Sequence, residues 1–360
     1  MLTLLHAADF HLDSPFRALP PREAQARRGG QRQLLEALGD LALECHVDLA
    51  LLPGDLFDSQ QVYPETLEAL TRTLGQFPCP VVIAPGNHDY YDENSPYNQP
   101  IWPGNVHIFT SETVTSISFA QLGVTVYGFA FTSPFRETDP LADFAASDDG
   151  TIALGVFHGQ VGKTGQYAPI SPDSLAQSGL VYAALGHVHA REHHLDAPTP
   201  WAYPGCPQGR GFDELGEKGC CLIQLDKSGI AAFEFVPLPG PRYWEKEADI
   251  TGQDPAWAVT EALTGCEDDC VRLTLAGEAD ALDLPTLRAL GEGLCKYFEL
   301  RDETVRPQHL WERLDEDTLT GHFLREMAAR LEAAEAEDRP LLERALRYGM
   351  AALEGREAPR

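Results

Sequence analysis

The sequence predicts an α/β protein whose first 241 residues form two packed sheets. Short apolar runs at 2–8, 49–53 and 81–85, each bounded by turn residues, have the length and composition of buried strands. Stretches with leucine at helical spacing separate them, and this β-α-β-α-β order implies parallel strands with helices packed on them. Further strand-like runs between residues 106 and 236 follow closely on one another, which predicts a second sheet packed on the first.

Beyond residue 241 the pattern changes and predicts two smaller units. Residues 242–308 alternate strand-like and helix-like segments, which predicts a small α+β cap. Residues 309–360 are predicted to form a C-terminal helical hairpin. Apolar residues share one face of each of its two helices, at Phe323, Met327 and Leu331 and then at Leu342, Leu346, Met350 and Leu353. We expect these faces to exceed what the tail can bury by itself.

Composition excludes several classes of protein. With 43% hydrophobic residues the chain is not disordered, and 27 basic against 55 acidic residues give a net charge of −28. Such a charge argues against a free-standing nucleic-acid coat protein, but not against an enzyme that carries its own metal cations. No apolar run approaches the ~18 residues of a membrane span, and the first residues lack a basic n-region. Eight cysteines are too few for a disulfide scaffold, so a cytoplasmic protein is predicted.

Five short polar motifs lie at or just after the ends of predicted strands, where an open α/β sheet places its ligand site. In chain order they are Asp9-Phe10-His11, Gly54-Asp55, Gly86-Asn87-His88-Asp89, Phe157-His158-Gly159 and Gly186-His187-Val188-His189. Their oxygen and nitrogen donors suit Mn, Fe, Zn or a similar divalent metal. A lone histidine at a strand end is more often structural, but five motifs in series predict a two-metal site. Two such cations can clamp the attacking and leaving oxygens of a phosphoryl displacement.

These motifs resemble those of the calcineurin-like metallophosphoesterase superfamily and, within it, the SbcD-like and YhaO-like DNA-repair exonucleases. The opening segment 6–16, the segment 54–58 and Tyr203-Pro204-Gly205 are similar to the corresponding family segments. The resemblance covers residues 1–240 strongly, and the cap and tail only in layout. It implies a four-layer α/β/β/α metallophosphoesterase sandwich over residues 1–241, a DNA-capping domain at 242–308 and a partner-docking segment at 309–360.

The resemblance also implies a role for each motif residue. The first metal would be held by Asp9, His11, Asp55 and His189, and the second by Asn87, His158 and His187, with Asp55 bridging. We expect two divalent metal ions, with Mn(II) as their identity. His88 would bind no metal; it would face the scissile phosphate and protonate the leaving oxygen. Asp89 would accept a hydrogen bond from the other ring nitrogen of His88 and fix its tautomer.

Two further points concern residues near the motifs. Asp58 stands where some family members have histidine, so the part of that histidine in handling DNA ends has no direct counterpart here. Arg191, Arg210 and Lys218 lie in loops after the last motif, and we expect them to be solvent-facing rather than to contact phosphate.

The predicted function is a two-metal phosphodiesterase acting on DNA, a 3′→5′ exonuclease with some endonuclease activity in DNA repair or end processing. The expected partners are DNA and an SMC-type coiled-coil ATPase, with a homodimer also open. One alternative is a phosphatase of the same superfamily, against which Asp58-Ser59 and Asp89 count. Another is a non-catalytic scaffold that binds DNA ends or an ATPase, against which the intact motifs count.

Overall fold

The computed structural model describes residues 1–16, 21–162, 164–279, 282–305, 310–335 and 338–353. It confirms an α/β fold with two large mixed sheets and helical elements near the C-terminus. The chain divides into two compact units, one made of Met1–Glu245 with Cys266–Val271 and the other of Lys246–Gly265 with Arg272–Arg360. The predicted boundary at 308/309 lies outside the described residues.

The predicted strands and helices occur in the predicted order, and the structure adds elements that were not predicted, among them Pro172–Gln177, Glu192–His194 and Trp201–Tyr203. The strands are β1 (Leu2–His6), β2 (Leu49–Leu52), β3 (Val81–Ile83), β4 (Val106–Ile108), β5 (Thr115–Phe119), β6 (Val124–Gly128), β7 (Ile152–His158), β8 (Tyr182–Gly186), β9 (Glu192–His194), β10 (Trp201–Tyr203), β11 (Gly219–Asp226), β12 (Gly229–Pro237), β13 (Tyr243–Asp249), β14 (Cys270–Ala276) and β15 (Tyr297–Asp302). The helices are α1 (Pro21–Glu44), α2 (Pro64–Gly75), α3 (Pro172–Gln177), α4 (Pro255–Ala262), α5 (Leu284–Glu292), α6 (Leu319–Ala333) and α7 (Arg339–Leu353), with 3₁₀ turns at Pro96–Asn98 and Leu310–Asp315.

The first sheet has the strand order β12-β11-β1-β2-β3-β4. Strands β1 to β4 run parallel, as the β-α-β-α-β pattern predicts, and β11 pairs antiparallel with β1. Leu34 and Leu38 of α1 and Leu70 of α2 belong to the same buried cluster as Leu52 and Ile83 of the strands. Leucine at helical spacing therefore covers the outer face of this sheet with two helices.

The second sheet has the order β5-β6-β7-β8-β10-β9, with a parallel centre and antiparallel edge strands. Leu51 and Val82 of the first sheet share a buried cluster with Val126 and Leu154 of the second, so the two sheets face each other. On its outer face Phe157 packs in a separate cluster with the α3 region. The layers are thus helices, sheet, sheet and helix, and the parallel strands of both sheets point their carboxyl ends toward one edge of the sandwich.

The second unit contains most of a three-stranded sheet, ordered β13-β14-β15, together with α4 and α5. The helix predicted over 284–298 is shorter than expected, because α5 ends at Glu292 and β15 begins at Tyr297. Gly291 and Gly293 lie at that point, and glycine disfavours the continuation of a helix.

The C-terminal helices α6 and α7 pack against each other. Leu324, Met327, Leu346 and Met350 are buried together, and the other predicted face residues are partly buried around them. The expectation that the tail cannot bury these apolar faces by itself is therefore wrong, because the faces of α6 and α7 bury each other. Leu319 and Leu341 lie off the shared face and are 73% and 66% exposed. Among the described residues, no helix combines the length and apolar character needed to cross a bilayer.

Candidate metal centre

All five motifs meet at one edge of the sandwich. They follow or end β1, β2, β3, β7 and β8, and backbone hydrogen bonds tie their loops together. The backbone N–H of Asp9 donates to the carbonyl of Gly54 (3.2 Å), and that of His11 donates to the carbonyl of Asp55 (2.9 Å). The backbone N–H of His187 donates to the carboxylate of Asp9 at 2.9 Å. The first, second and fifth motifs are therefore held in mutual contact.

The predicted metal ligands bring their donor atoms within a few ångströms of one another. Oδ1 of Asn87 lies 2.9 Å from Nε2 of His158 and 3.2 Å from Nδ1 of His187. Nε2 of His158 lies 3.4 Å from Oδ2 of Asp55. Three groups with the spacing of metal ligands emerge. Two consist of predicted ligands, Asp9 with His11 and His189, and Asp9 with Asp55 and His158, and the third joins His11 to Asp58 and His88. The structure thus brings all seven predicted ligands together.

The environment of His158 fits a cation between these atoms. Its Nδ1 lies 2.9 Å from the carbonyl oxygen of Pro53, which can only accept, so Nδ1 carries the hydrogen. Burial lowers the pKa of His158, so its Nε2 presents a lone pair. That lone pair faces the oxygens of Asn87 and Asp55, which are themselves acceptors. Acceptors that converge in this way repel one another unless a cation lies between them.

The buried carboxylates of the site also indicate that a cation binds there. Asp9 and Asp55 are each 1% exposed. Burial and the neighbouring charge of Asp55 raise the pKa of Asp9 well above its ordinary value. In addition, Nδ1 of the buried His11 lies 3.4 Å from Oδ1 of Asp58, without the geometry of a hydrogen bond. Two like charges in a dry site are costly, and a divalent cation removes that cost. The donor set therefore fits divalent metals.

The backbone at these residues is strained. Asp9, His11, Asp55 and His187 have φ values of 57°, 45°, 50° and 105°, in the left-handed region that non-glycine residues rarely adopt. Each such residue costs on the order of 1–3 kcal/mol, and strain of this kind persists where the surrounding structure imposes it. Half of the eight non-glycine residues with positive φ in the described chain are thus predicted metal ligands.

Gly86 permits the close approach of the second and third motifs. A Cβ atom at this position would lie 2.2 Å from Oδ1 of Asp55 and 2.7 Å from its backbone nitrogen. Any side chain would displace the carboxylate, so only glycine fits there.

His88 stands at the exposed opening of the site, and its ring lies edge-on to that of His11 at 4.7 Å between centroids. Its Nδ1 lies 3.0 Å from the backbone carbonyl of Asp58 and must carry the hydrogen of that bond. The prediction that Asp89 fixes the tautomer of His88 is wrong. The carbonyl of Asp58 fixes it instead, and within the described residues Asp89 forms no hydrogen bond to the ring of His88. Nε2 of His88 remains available to a ligand.

Asp89 instead holds the loops of the second and third motifs together. Its carboxylate accepts hydrogen bonds from the backbone N–H groups of Leu56 (2.7 Å) and Gly86 (2.8 Å), and more weakly from those of Asp55 and Phe57 at 3.2 Å. The hydroxyl of Tyr97 donates a further bond. Burial and the charge of Asp55 raise the pKa of Asp89 to about 6. Asp89 is therefore a positioning residue, which acts by holding the loops that carry the predicted ligands.

A charged network that the sequence did not indicate flanks the centre. Oε1 of Glu214 lies 2.7 Å from Nδ1 of His189, and Nη2 of Arg210 donates to the same oxygen at 2.8 Å. Nη1 of Arg210 donates to Oδ1 of Asp58 at 3.1 Å. Arg210 is thus not the solvent-facing residue that we expect from its loop. Burial alone would raise the pKa of Glu214, but the hydrogen bonds from His189 and Arg210 lower it far below its ordinary value.

Comparisons with known proteins agree with this site. A family model described as calcineurin-like phosphoesterase matches residues 2–191. The uncharacterized metallophosphoesterase YhaO of Bacillus subtilis is 34% identical over 347 residues, which cover 88% of this chain and 82% of that protein. The DNA double-strand break repair protein Mre11 of Aeropyrum pernix is 29% identical over 69% of this chain and 64% of its own length. A subunit of the nuclease SbcCD of Bacillus subtilis is 24% identical over 64% of this chain and 68% of its own length.

Proposed function

Because the chain belongs to the calcineurin-like phosphoesterase family, and is therefore a metal-using hydrolase of phosphoesters, we propose that it hydrolyses phosphodiester bonds in DNA. The observation that carries the proposal is the convergence of the five motifs, with His88 at the opening of the site. Two of the relatives are named as a DNA double-strand break repair protein and a nuclease subunit, which supports DNA as the substrate.

In this proposal two divalent cations, with Mn(II) as their identity, are held by the predicted residues. Asp9, His11, Asp55 and His189 would hold the first, and Asn87, His158 and His187 would hold the second together with Asp55. When bound, such cations lower the pKa of water and polarise phosphoryl oxygens. The chain itself supplies the buried carboxylates that attract the cations and the strained loops that orient them.

His88 acts as the general acid. The imidazolium gives the proton on Nε2 to the leaving oxygen and remains as the tautomer with hydrogen on Nδ1. That tautomer is the one stabilised by the carbonyl of Asp58 at 3.0 Å. The backbone N–H of His88 also donates to Oδ1 of Asp55 at 2.9 Å, so the acid is attached to the proposed bridging carboxylate. Asp55, which would bind both metals, thereby also positions His88.

The proposal also includes direction and partner. The enzyme degrades DNA as a 3′→5′ exonuclease with some endonuclease activity, and an SMC-type coiled-coil ATPase docks on the C-terminal hairpin through its exposed Leu319 and Leu341. One relative is named as one subunit of a nuclease, SbcCD, which supports a second chain in the assembly. With a net charge of −28, the chain gains from a partner that supplies cationic contacts to phosphate.

The test compares substrates under one set of conditions. Labelled single-stranded and double-stranded DNA are incubated with the protein and Mn(II), beside a simple phosphomonoester and a metal-free control. We expect metal-dependent shortening of DNA from its 3′ ends and slower turnover of the monoester. Intact DNA with efficient monoester hydrolysis would replace the proposal by the phosphatase alternative, and no hydrolysis of either would favour a scaffold.

A further inference from the structure

A cavity of about 450 Å³ opens beside His189, next to the metal centre. It is lined by the turn that follows His189, by the loop before β11 and by the side chain of Trp244, all in the first compact unit. Its volume falls within the usual range of small-molecule sites, roughly 300–1,000 Å³. A site of this size beside a phosphoesterase centre can hold a part of the substrate that extends beyond the reacting phosphate.

Two cationic side chains of this lining have no carboxylate partner within the described chain. The guanidinium of Arg191 lies 4.0 Å above the ring of Phe235, and Nζ of Lys218 donates weakly to the carbonyl of His189 at 3.4 Å. In a chain with 55 acidic and 27 basic residues, two cations that lack an ion pair at one cavity are a notable excess. They leave this cavity able to bind an anion.

One of the three acidic residues of the lining, Glu214, is bound closely to residues of the metal centre. Glu214 binds His189 and Arg210, and Oε1 of Glu217 lies 4.0 Å from Nη1 of Arg242. Asp213 is exposed and forms no ion pair among the described residues. Arg242 is itself bonded to Asp269, so Glu217 and Asp213 offset Arg191 and Lys218. The lining is therefore close to neutral, in a chain whose net charge is −28.

Trp244 adds an aromatic surface to the cavity, and a hydrogen bond to Asp269 fixes the orientation of its ring. Its Nε1 donates to Oδ2 of Asp269 at 2.9 Å, and Arg242 donates to that same oxygen at 2.8 Å. Asp269 is itself only 2% exposed, so the anchor is rigid. An oriented indole beside unpaired cations is the combination that binds nucleotides, with the ring stacked on a base and the cations on phosphate.

We infer that this cavity binds the nucleotide adjoining the scissile phosphate of a single-stranded DNA end, with Arg191 and Lys218 on its phosphate and Trp244 on its base. The inference rests on the proposed DNA hydrolysis and adds a substrate class to it. A base that stacks on an indole must leave its own duplex stack, so unpaired ends enter the cavity more readily than paired ones.

The first test measures binding as a function of salt. Fluorescence anisotropy with a labelled single-stranded oligonucleotide is recorded for the Mn(II)-loaded full chain carrying His88→Ala to prevent turnover. Each phosphate contact on a single strand contributes about 0.7 to the slope of log K against log salt, so Arg191→Gln with Lys218→Gln should lower that slope by about 1.4. Affinity at low salt should fall roughly tenfold or more.

The matched control is Lys227→Gln. Lys227 follows β11 as Lys218 precedes it, so it matches the single variant Lys218→Gln, with one charge removed at the opposite end of the same strand. The control should keep the parent slope. Equal changes of the slope in Lys218→Gln and Lys227→Gln would show that only the net charge matters, and would overturn the inference.

The second test isolates the base. Trp244→Leu should weaken binding of a normal oligonucleotide several-fold, and Trp244→Phe should restore most of the loss because it keeps an aromatic face. With an oligonucleotide that is abasic at its terminal nucleotides, the parent and Trp244→Leu should bind equally. A persistent difference on the abasic strand would mean that Trp244 acts only on the fold.

The two proposals fail in different ways. If the wild-type protein cleaves DNA while the salt slope and the abasic comparison show no effect of these residues, the subsite is wrong and the proposed function stands. If the wild-type protein hydrolyses phosphomonoesters and leaves DNA intact, the proposed function is wrong, and the subsite is overturned with it.

Discussion

Oε1 of Glu214 lies 2.7 Å from Nδ1 of His189, and this carboxylate determines which ring nitrogen faces the metal centre. Glu214 stays ionised because its pKa is lowered by His189 and Arg210 against the effect of burial, so it can only accept, and Nδ1 carries the hydrogen. Nε2 of His189 is then left with its lone pair, 3.1 Å from Nε2 of His11. A carboxylate in this position also raises the basicity of a metal-binding histidine.

We therefore expect Glu214→Gln to weaken metal binding about 10–100-fold, because the charge behind His189 is lost. Isothermal titration of the metal-free protein with Mn(II) measures this directly. Asp213→Asn removes the neighbouring carboxylate, which is exposed and does not contact His189, and should leave the affinity unchanged. Unaltered affinity in Glu214→Gln would show that Arg210 alone holds the histidine.

His88→Ala should abolish hydrolysis while both metals remain bound. His88 stands at the opening and its Nδ1 is engaged by the carbonyl of Asp58, whereas His187 lies 3.2 Å from Asn87 among the predicted ligands. His187→Ala should therefore lose metal. Metal content by plasma mass spectrometry, combined with rates, separates the two roles. Metal loss in the His88 variant would assign His88 to the ligands.

Gly86→Ala should disrupt the centre out of proportion to the single methyl group that it adds. The new Cβ would lie 2.2 Å from Oδ1 of Asp55, so either the carboxylate or the loop must move. We expect loss of metal binding with retained secondary structure, measured by titration and circular dichroism. Gly104→Ala, where a Cβ meets nothing within 4 Å, is the control. Normal metal affinity in the Gly86 variant would contradict the described loop geometry.

Because of His6, the free energy of unfolding should decrease in mild acid. It is fully buried between the hydroxyl of Tyr182 and the carbonyl of Leu185, and burial lowers its pKa to about 3. The unfolded chain, with a pKa near 6.5, binds the proton first, so this contribution is present above pH 6.5 and is lost as the pH falls toward 3. Between pH 7.5 and 5 the loss is about 2 kcal/mol.

Urea unfolding at the two pH values tests this prediction. His6→Leu should lower stability at both, because two polar groups lose their partner, but its loss between pH 7.5 and 5 should be smaller by about 2 kcal/mol. The exposed His193 supplies the control substitution His193→Gln. A His6 variant with the same pH dependence as the parent would assign the acid sensitivity to other histidines.

Leu324→Ala should loosen the C-terminal hairpin and leave basal hydrolysis unchanged. Leu324 is completely buried between α6 and α7, and such a truncation costs roughly 2–5 kcal/mol. Hydrogen exchange in α6 and α7 should accelerate. Leu341→Ala, at a residue 66% exposed, should leave exchange unaltered. If the Leu324 variant also loses metal, the hairpin contributes to the folding of the metal-binding unit.

Much of the site could be predicted because side-chain identity and strand order determine it. Parallel strands end at one edge, so Asp9, Asp55 and His158, which are distant in sequence, had to converge once the strands were placed. The partner of His88 could not be predicted in this way. It is the backbone carbonyl of Asp58, and every residue carries a carbonyl, so the sequence holds no signal for which one is used.

The role of Arg210, which was expected to face solvent, and that of Glu214, which was not singled out, could not be predicted for a related reason. Both residues lie in the long connection between β10 and β11, which has neither the twofold alternation of a strand nor helical periodicity. A loop that folds over the site of its own chain has no local sequence pattern from which this contact could be predicted. The segment 192–194 is similar: three exposed residues form the edge strand β9 by pairing with β10, which is a tertiary event without an apolar pattern.

The bond between the backbone of His187 and the carboxylate of Asp9 spans 178 residues of sequence. A ribosome adds roughly 5–20 residues per second, so about 9 to 36 s pass between the synthesis of the two. During most of that interval the nascent chain contains Asp9, His11 and Asp55 but not yet His187 and His189. With the proposed ligand set, a metal site that has all its ligands therefore forms only after His189 has been synthesised. A product truncated before the fifth motif lacks both His187 and His189.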